Sequence, residues 1–434
     1  MKLGAVAAVV LALLACGACG DPASDGPPTL GGVDLTRDGD GCIAVATGSD
    51  RDGDGVLGDD EVTESSKLCG PVAGSTVRCD SGDGSALTGE IVIASVDDEA
   101  KLAGVGCIDG DLLVVGLDDG ELPSLAGLHA ITGNLAIAGD RNVTTLAALR
   151  GVRAVGGALL VQGNDALADL DGATSIAELP ELDVLANPHL PDLGGLEAFP
   201  CTTALRVADN PELASLTGLD GHTCIGDLAL DDNASLDSLD ALAQLATAGS
   251  LELADNPRLA TVALPRLASV GGDVRVGGGA VLELALPALA SVGGELDVDD
   301  TGLRQLALPA LADAGDLDLS GNGELETVDA PGLAVGGDVA VANDRKLVAI
   351  RTAITAPHDL SLTALPALSA LVLGEISEVA GSLTIEATDL PDLSALALVS
   401  RVHGDLALRG NAFGARAAHA FASHLEIDGA TDIE

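Results

Sequence analysis

From about residue 85 the apolar positions recur in one short figure. It consists of Leu-x-[Leu/Ile/Val], an Asn or Asp three residues later, then spaced Leu and Val, then Gly. The segments GNLAIAGDRNVTTLAALRGVRAVGG, GALLVQGNDALADLDGATSIAEL and LELADNPRLATVALPRLASVGG show it side by side. Alternation of apolar and polar positions predicts a short strand with one buried face in each copy. The strand ends fall at Ile93, Val114, Ile137, Val161, Val184, Val207, Leu230 and Leu253, and continue at Val276, Val298, Leu319, Val341, Leu362, Ile385 and Leu408. The intervals run from 21 to 24 residues.

A unit this short cannot close a core of its own, so neighbours must stack and share one. Several later units add a second extended run before a proline: Val262-Ala263-Leu264-Pro265, Leu284-Ala285-Leu286-Pro287 and Leu306-Ala307-Leu308-Pro309. Strands on two or three faces are therefore expected, without convex-side helices. The reading is a mainly β, right-handed β-solenoid of about fifteen coils over residues 73–412. At the end, NAFGARAAHAFASHLEI switches to helical spacing, which predicts a helical cap over 413–434 that covers the last open coil. His419 and His424 are five apart, a poor pair for one helical face.

The pattern resembles leucine-rich-repeat solenoids and, more closely, the receptor L-domain type with its G-x-L-x-I…N-x-x-L turns. The resemblance covers about three quarters of the chain. It implies that the Asn after each strand belongs to a buried ladder bonding backbone groups at the turn. Asn164, Asn187, Asn210, Asn233, Asn256, Asn322 and Asn411 hold that place. Gly279, Thr301, Leu365 and Thr388 hold it in other coils, where the ladder is expected to break. Such solenoids serve many binding roles, so the resemblance speaks for fold and leaves function open.

Composition narrows the function classes. Of 434 residues, 67 are acidic and 20 basic, a formal charge of -47, while 47% are apolar. The aliphatic content suits a long core and excludes a disordered acidic tail. No basic patch offsets the negative field, so nucleic acid is excluded as a partner. There are three Phe and no Trp or Tyr.

The N-terminus, MKLGAVAAVVLALLACGACG, has Lys2 as a minimal positive region and an apolar run from Leu3 to Ala15 too short to span a bilayer. Leu13-Leu14-Ala15-Cys16 resembles the lipobox of bacterial lipoproteins. That resemblance implies removal of residues 1–15 and acylation of Cys16, which anchors the chain to a membrane. Gly17, not Asp, follows, so the family's inner-membrane retention signal is absent. An outer-membrane or cell-surface location in the bacterial envelope is expected. Residues 16–33, with GDPASDGPPTLGG, read as a flexible tether.

The segment 34–72 contains the loop candidate. Counted from Asp50, it places Asp50, Asp52 and Asp54 at positions 1, 3 and 5, Gly55 at 6, Leu57 at 8 and Glu61 at 12. This fits D-x-[DN]-x-[DN]-G-x5-E at each constrained position. Alternate carboxylates converge on one hard cation, glycine permits the sharp turn, the Val56 carbonyl adds an oxygen, and Glu61 closes the shell with two. Ca²⁺ is the expected ion, held structurally. The preceding GCIAVATG is a poor entering helix, so a paired EF-hand is not expected. Cys42 and Cys69 bracket the loop instead, as in small Asp-rich modules of bacterial surface proteins, which this segment resembles; a Cys42–Cys69 disulfide would hold its ends.

Cys201 and Cys224 each lie four residues before an anchor Leu in consecutive coils. Adjacent coils are about 4.8 Å apart, within disulfide reach, so a Cys201–Cys224 bridge is expected. Cys79–Cys107 is a looser pairing near the start of the solenoid, and Cys19 is left as the odd cysteine. No nucleophile elbow, HExxH, P-loop or zinc spacing is present. The outward positions Asp183, Arg206, Ala229, Glu252, Arg275, Asp297, Asp318, Ala340 and Ser361 are mostly small or acidic and read as solvated surface. The expected role is a non-catalytic binding or adhesion scaffold, with a protein or glycan ligand on the solenoid face. The alternatives are a passive envelope spacer and a β-helix polysaccharide-active enzyme.

Overall fold

The computed structural model describes residues 33–37, 42–48, 57, 62–72, 75–79, 84–117 and 121–434. They form a β-solenoid of about fifteen turns. The chain divides into two units, Met1–Gly221 and His222–Glu434.

In the first unit a parallel ladder runs through Ile91–Ile93, Leu112–Val115, Leu135–Ala138, Ala158–Gln162, Glu181–Leu185 and Cys201–Ala208. A second parallel sheet joins Ser85–Thr88, Val105–Asp109, Ala130–Ile131 and Ala154–Val155. The inward pairs Leu135/Ile137, Leu159/Val161 and Leu182/Val184 are fully buried. Glycine has a steric cause at Gly195 and Gly218, in consecutive coils. Both have positive φ, and an added Cβ would meet the carbonyl oxygens of Leu170 and Leu193 at 2.5 and 2.1 Å.

In the second unit a parallel ladder runs from Cys224–Asp231 through Thr247–Ala254, Val274–Gly277, Ser291–Asp299, Asp313–Ser320, Val339–Ala342, Leu360–Leu365, Leu383–Thr388 and Leu406–Arg409. The runs ahead of the prolines are strands, as their pattern predicts: Thr261–Ala263, Glu283–Ala285 and Gln305–Ala307. Proline ends each run because it cannot donate to the ladder. The helix expected near the C-terminus is Gly414–Ala422, exposed except at the buried Ala418 and the half-buried Phe421 and Ala422. It is followed by Glu426–Ile427 and Thr431–Ile433, which pair with Arg401–Val402 and Leu406–Leu408. Residues 413–434 thus supply a further coil with the helix in its connection. EIDGATDI repeats the RVHGDLAL figure of the coil before it.

The side-chain ladder is present. Asn187 Nδ2 donates to Val161 O (2.9 Å) and Leu185 O (3.0 Å), and Asn187 Oδ1 accepts from Asn164 N (3.2 Å). Asn210, Asn256, Asn322 and Asn411 donate to Val184 O, Leu230 O, Val298 O and Ile385 O. Asn233 Nδ2 donates to Asp231 O, and its N–H to Asn256 Oδ1. Two of the four expected breaks are corrected. Thr301 donates from Oγ1 and N to Asn322 Oδ1, and Thr388 does the same to Asn411 Oδ1. A threonine hydroxyl joins the next rung although it lacks the amide that would reach back. At Gly279 and Leu365 no side-chain donor exists.

Candidate calcium module and its seat on the solenoid

The module is a three-stranded antiparallel sheet of Val33–Arg37, Ile43–Gly48 and Val62–Leu68. GCIAVATG forms a strand, in line with its β-branched content. Ile43 pairs with Leu68 and Gly48 with Val62, with a bulge between Thr47 and Gly48. This hairpin therefore brings the two ends of segment 49–61 together, and the Cys42–Cys69 disulfide ties its base. The expected ligands Asp50, Asp52, Asp54, Val56 and Glu61 lie outside the described residues, as do Cys16 and Cys19. Their donor chemistry, carboxylates and one carbonyl, suits a hard divalent cation. Leu57, at position 8, is buried, and its N–H donates to Asp34 Oδ2 at 2.9 Å. Leu57 is thereby tied to the strand Val33–Arg37.

The module covers the outward face of the first coils. Val33, Ile43, Val45 and Leu68 form one apolar cluster with Leu113, Val115, Ala136, Ala138, Leu160, Leu185 and Ala208. Close approach requires glycine at Gly139, where a Cβ would sit 2.1 Å from Val33 Cγ2. Gln162 Nε2 lies 3.1–3.2 Å from Val45 O, Thr47 Oγ1 and Glu64 O. Arg37 forms an ion pair with Glu90. These contacts were not anticipated, yet a signal was present. The outward positions in LLVV, LAIA and ALLV are apolar, whereas those of DLDLS in the second unit are polar.

Two outward residues read as solvated surface belong to this seam. Arg206 Nη2 is 3.7 Å from Glu64 Oε1. Burial, then a hydrogen bond with Asp209, pushes the Glu64 carboxyl up to about 7, against the pull of Arg206. Burial likewise pushes Asp183 up to about 6, with Arg206 opposing. In the second unit Arg275 is bonded to Asp297 (3.0 Å) and lies near Glu295 and Glu252 in flanking coils. It offsets repulsion where Glu295 pairs with Asp316 and Asp297 with Asp318.

Cys79 and Cys107 are joined, and Cys201 and Cys224 are both disulfide-bonded. Among the described residues, Asp338, His358 and Asp359 bring ligand atoms within 4.8 Å of one another. Their carboxylates serve the backbone: Asp338 Oδ1 accepts from Asp359 N, and Asp359 Oδ1 from Ser382 N. The corner aspartates Asp273, Asp316 and Asp405 accept in the same way from Glu295, Asp338 and Ala430. This column is a structural corner. Among the described residues no helix is long and apolar enough to cross a membrane. No protein-family model matches the chain, and no curated protein matches it either.

Proposed function

We propose that the chain is a lipid-anchored lipoprotein of the bacterial outer membrane or cell surface, acting as a non-catalytic binding scaffold with one structural calcium ion. The supporting observation is the contrast between the two outward faces. In the first unit the face is covered by the module, while in the second Glu252 is exposed and Arg275, Asp297, Asp318, Ala340 and Ser361 are partly so. That second row offers charged groups on a regular spacing for a protein or glycan partner. Its lack of aromatic anchors favours the passive-spacer alternative.

In this reading Asp50, Asp52, Asp54 and Glu61 hold Ca²⁺ with the Val56 carbonyl, and the Cys42–Cys69 hairpin closes the loop. A lone extracellular loop of this kind binds at about 10⁻⁴ to 10⁻³ M. Calcium at a hundred times Kd stabilises the module by about 2.7 kcal/mol. Titration calorimetry on the full chain at millimolar calcium is expected to show binding that Glu61→Gln weakens sharply; no heat in the wild type refutes the calcium assignment. Cys16→Ser is expected to release the protein from the membrane fraction. Pull-down from the native envelope is expected to capture a partner that Asp297→Lys/Asp318→Lys loses. Identical capture by both proteins, or none, leaves the spacer.

A further inference from the structure

At two rungs the ladder carries an acid where its neighbours carry an amide. Asp140 lies three residues after Ile137, and Asp344 three after Val341. Asn164, Asn187, Asn210, Asn256, Asn322 and Asn411 work in one way. Oδ1 accepts an N–H from the previous coil, as Asn164 does from Asp140 N at 3.1 Å. Nδ2 donates to a carbonyl of the previous coil, that of the residue paired with the one three positions before it. Asn164 reaches Ile137 O at 3.0 Å, and Val161 pairs with Ile137. Asn187, Asn256 and Asn322 obey the same rule with Val161, Leu230 and Val298.

The two aspartates reproduce the first half of this arrangement. Asp140 Oδ1 accepts from Leu117 N at 2.7 Å, and Asp344 Oδ1 from Asn322 N at 2.6 Å. Both residues are fully buried, and Oδ2 of each has no partner. By register Oδ2 occupies the place of the amide nitrogen. The carbonyl served there is Val114 O for Asp140 and Leu319 O for Asp344, since Ile137 pairs with Val114 and Val341 with Leu319. A buried carboxylate oxygen with no donor, set against a carbonyl oxygen, is costly. One proton between them turns the repulsion into a hydrogen bond.

We propose that Asp140 and Asp344 stand in the ladder as carboxylic acids, each O–H replacing the asparagine amide, so that each unit contains one pH-sensitive rung. The proton moves to solvent when the rung opens, and the bond to the carbonyl is lost with it. The surroundings favour the neutral form. The strands flanking Asp140, Leu112–Val115 and Ala158–Gln162, contain no titratable residue. From the module, Val33 and Thr47 reach the adjoining Gly139, and the half-buried Asp34 is the acid of that strand. Arg141 and Asp165 are exposed on the neighbouring turns. Burial pushes Asp140 up to about 8, against the Leu117 N–H. Around Asp344, the strand Asp313–Ser320 contributes Asp318, Leu360–Leu365 contributes no charge, and Arg345 and Lys346 are exposed. Burial, with a smaller push from Asp318 and opposed by the Asn322 N–H, raises Asp344 to about 7. Both folded values exceed the ordinary 3.8 of the unfolded chain. The stabilisation is therefore complete below that pH and is lost as pH rises through 7 to 8.

The test is hydrogen exchange read by mass spectrometry on the full chain from pH 5 to 9, corrected for the intrinsic pH dependence. Wild type is compared with Asp140→Asn and Asp344→Asn, and Asp165→Asn serves as the exposed charge control. Wild-type protection in the coils around residues 140 and 344 is expected to fall by at least tenfold between pH 6 and 9. Each Asn variant is expected to keep its own rung protected at pH 9 and to match wild type at pH 5. A wild-type profile unchanged by either substitution, or an Asn variant less protected than wild type at pH 9, overturns the assignment. So does an Asn variant that fails to fold, since the amide must fit the place an acid O–H fills.

Discussion

Asn187→Ala removes the ladder at a rung where each contact is defined. The side chain donates to Val161 O, Leu185 O and Asn210 Oδ1 and accepts from Asn164 N and Asn164 Nδ2, at 2.9 to 3.3 Å. It is completely buried. Alanine retains the bond from residue 187 N to Asn210 Oδ1, because that donor is backbone. The loss is therefore five side-chain contacts, equivalent to about four bonds because the three made by Nδ2 share two hydrogens, each bond worth about 1 kcal/mol net when both partners are re-solvated on unfolding. The groups left behind are not re-solvated in the folded protein. The Asn164 N–H is orphaned in the core, and one such group costs about 1–3 kcal/mol. A destabilisation of about 4–6 kcal/mol follows, with part recovered if water enters the space left by the amide. Coils of a solenoid contact only their neighbours, so the damage should stay local. Urea unfolding gives the magnitude, and hydrogen exchange should place the loss in the strands Ala158–Gln162, Glu181–Leu185 and Cys201–Ala208. A loss under about 1 kcal/mol, or one spread evenly along the chain, would refute the view that the ladder is an energetic element of each turn.

Two further outcomes follow from the same geometry. Gly279→Asn should restore a missing rung and stabilise the protein by about 1 kcal/mol in urea unfolding, from the new bonds and the lost freedom of glycine in the unfolded chain. The added Cβ meets nothing closer than Asp300 O at 3.8 Å, so a loss of stability would count against the ladder rule. The seat of the module should weaken as pH rises through about 7, because Glu64 has a folded value above its ordinary 4.5, and the stabilisation present below 4.5 is lost as it ionises. Glu64→Gln should remove that dependence while retaining a hydrogen-bonding partner for Asp209. Limited proteolysis of the segment 33–72 across pH 5 to 9 reads it, and equal pH profiles for the two proteins would exclude Glu64 as the cause.

The stacked strands, their spacing and the asparagine column were legible in the chain itself. Each coil meets copies of its own pattern one turn away, so a local period of 21 to 24 residues determines both the register and the identity of the inward positions. The disulfide that brackets the loop was legible in Cys42 and Cys69, which are close in sequence to what they join, whereas the antiparallel pairing of Ile43–Gly48 with Val62–Leu68 was not. Other features depended on residues far apart. Arg206 reads as a solvated charge until Glu64 is brought to it, and Asp183 until burial raises it. The apolar run LLVV gains its meaning only when Val33, Ile43 and Val45 lie across it. Thr301 and Thr388 read as gaps because they lack the amide of the pattern, whereas the Asn322 and Asn411 carbonyls of the next coil needed only a donor at that height. The sequence alone determined the repeat, because repetition makes each contact local in kind. Tertiary structure alone decided which outward face is covered and which carboxyls keep a proton, because burial of a charge depends on everything that packs around it.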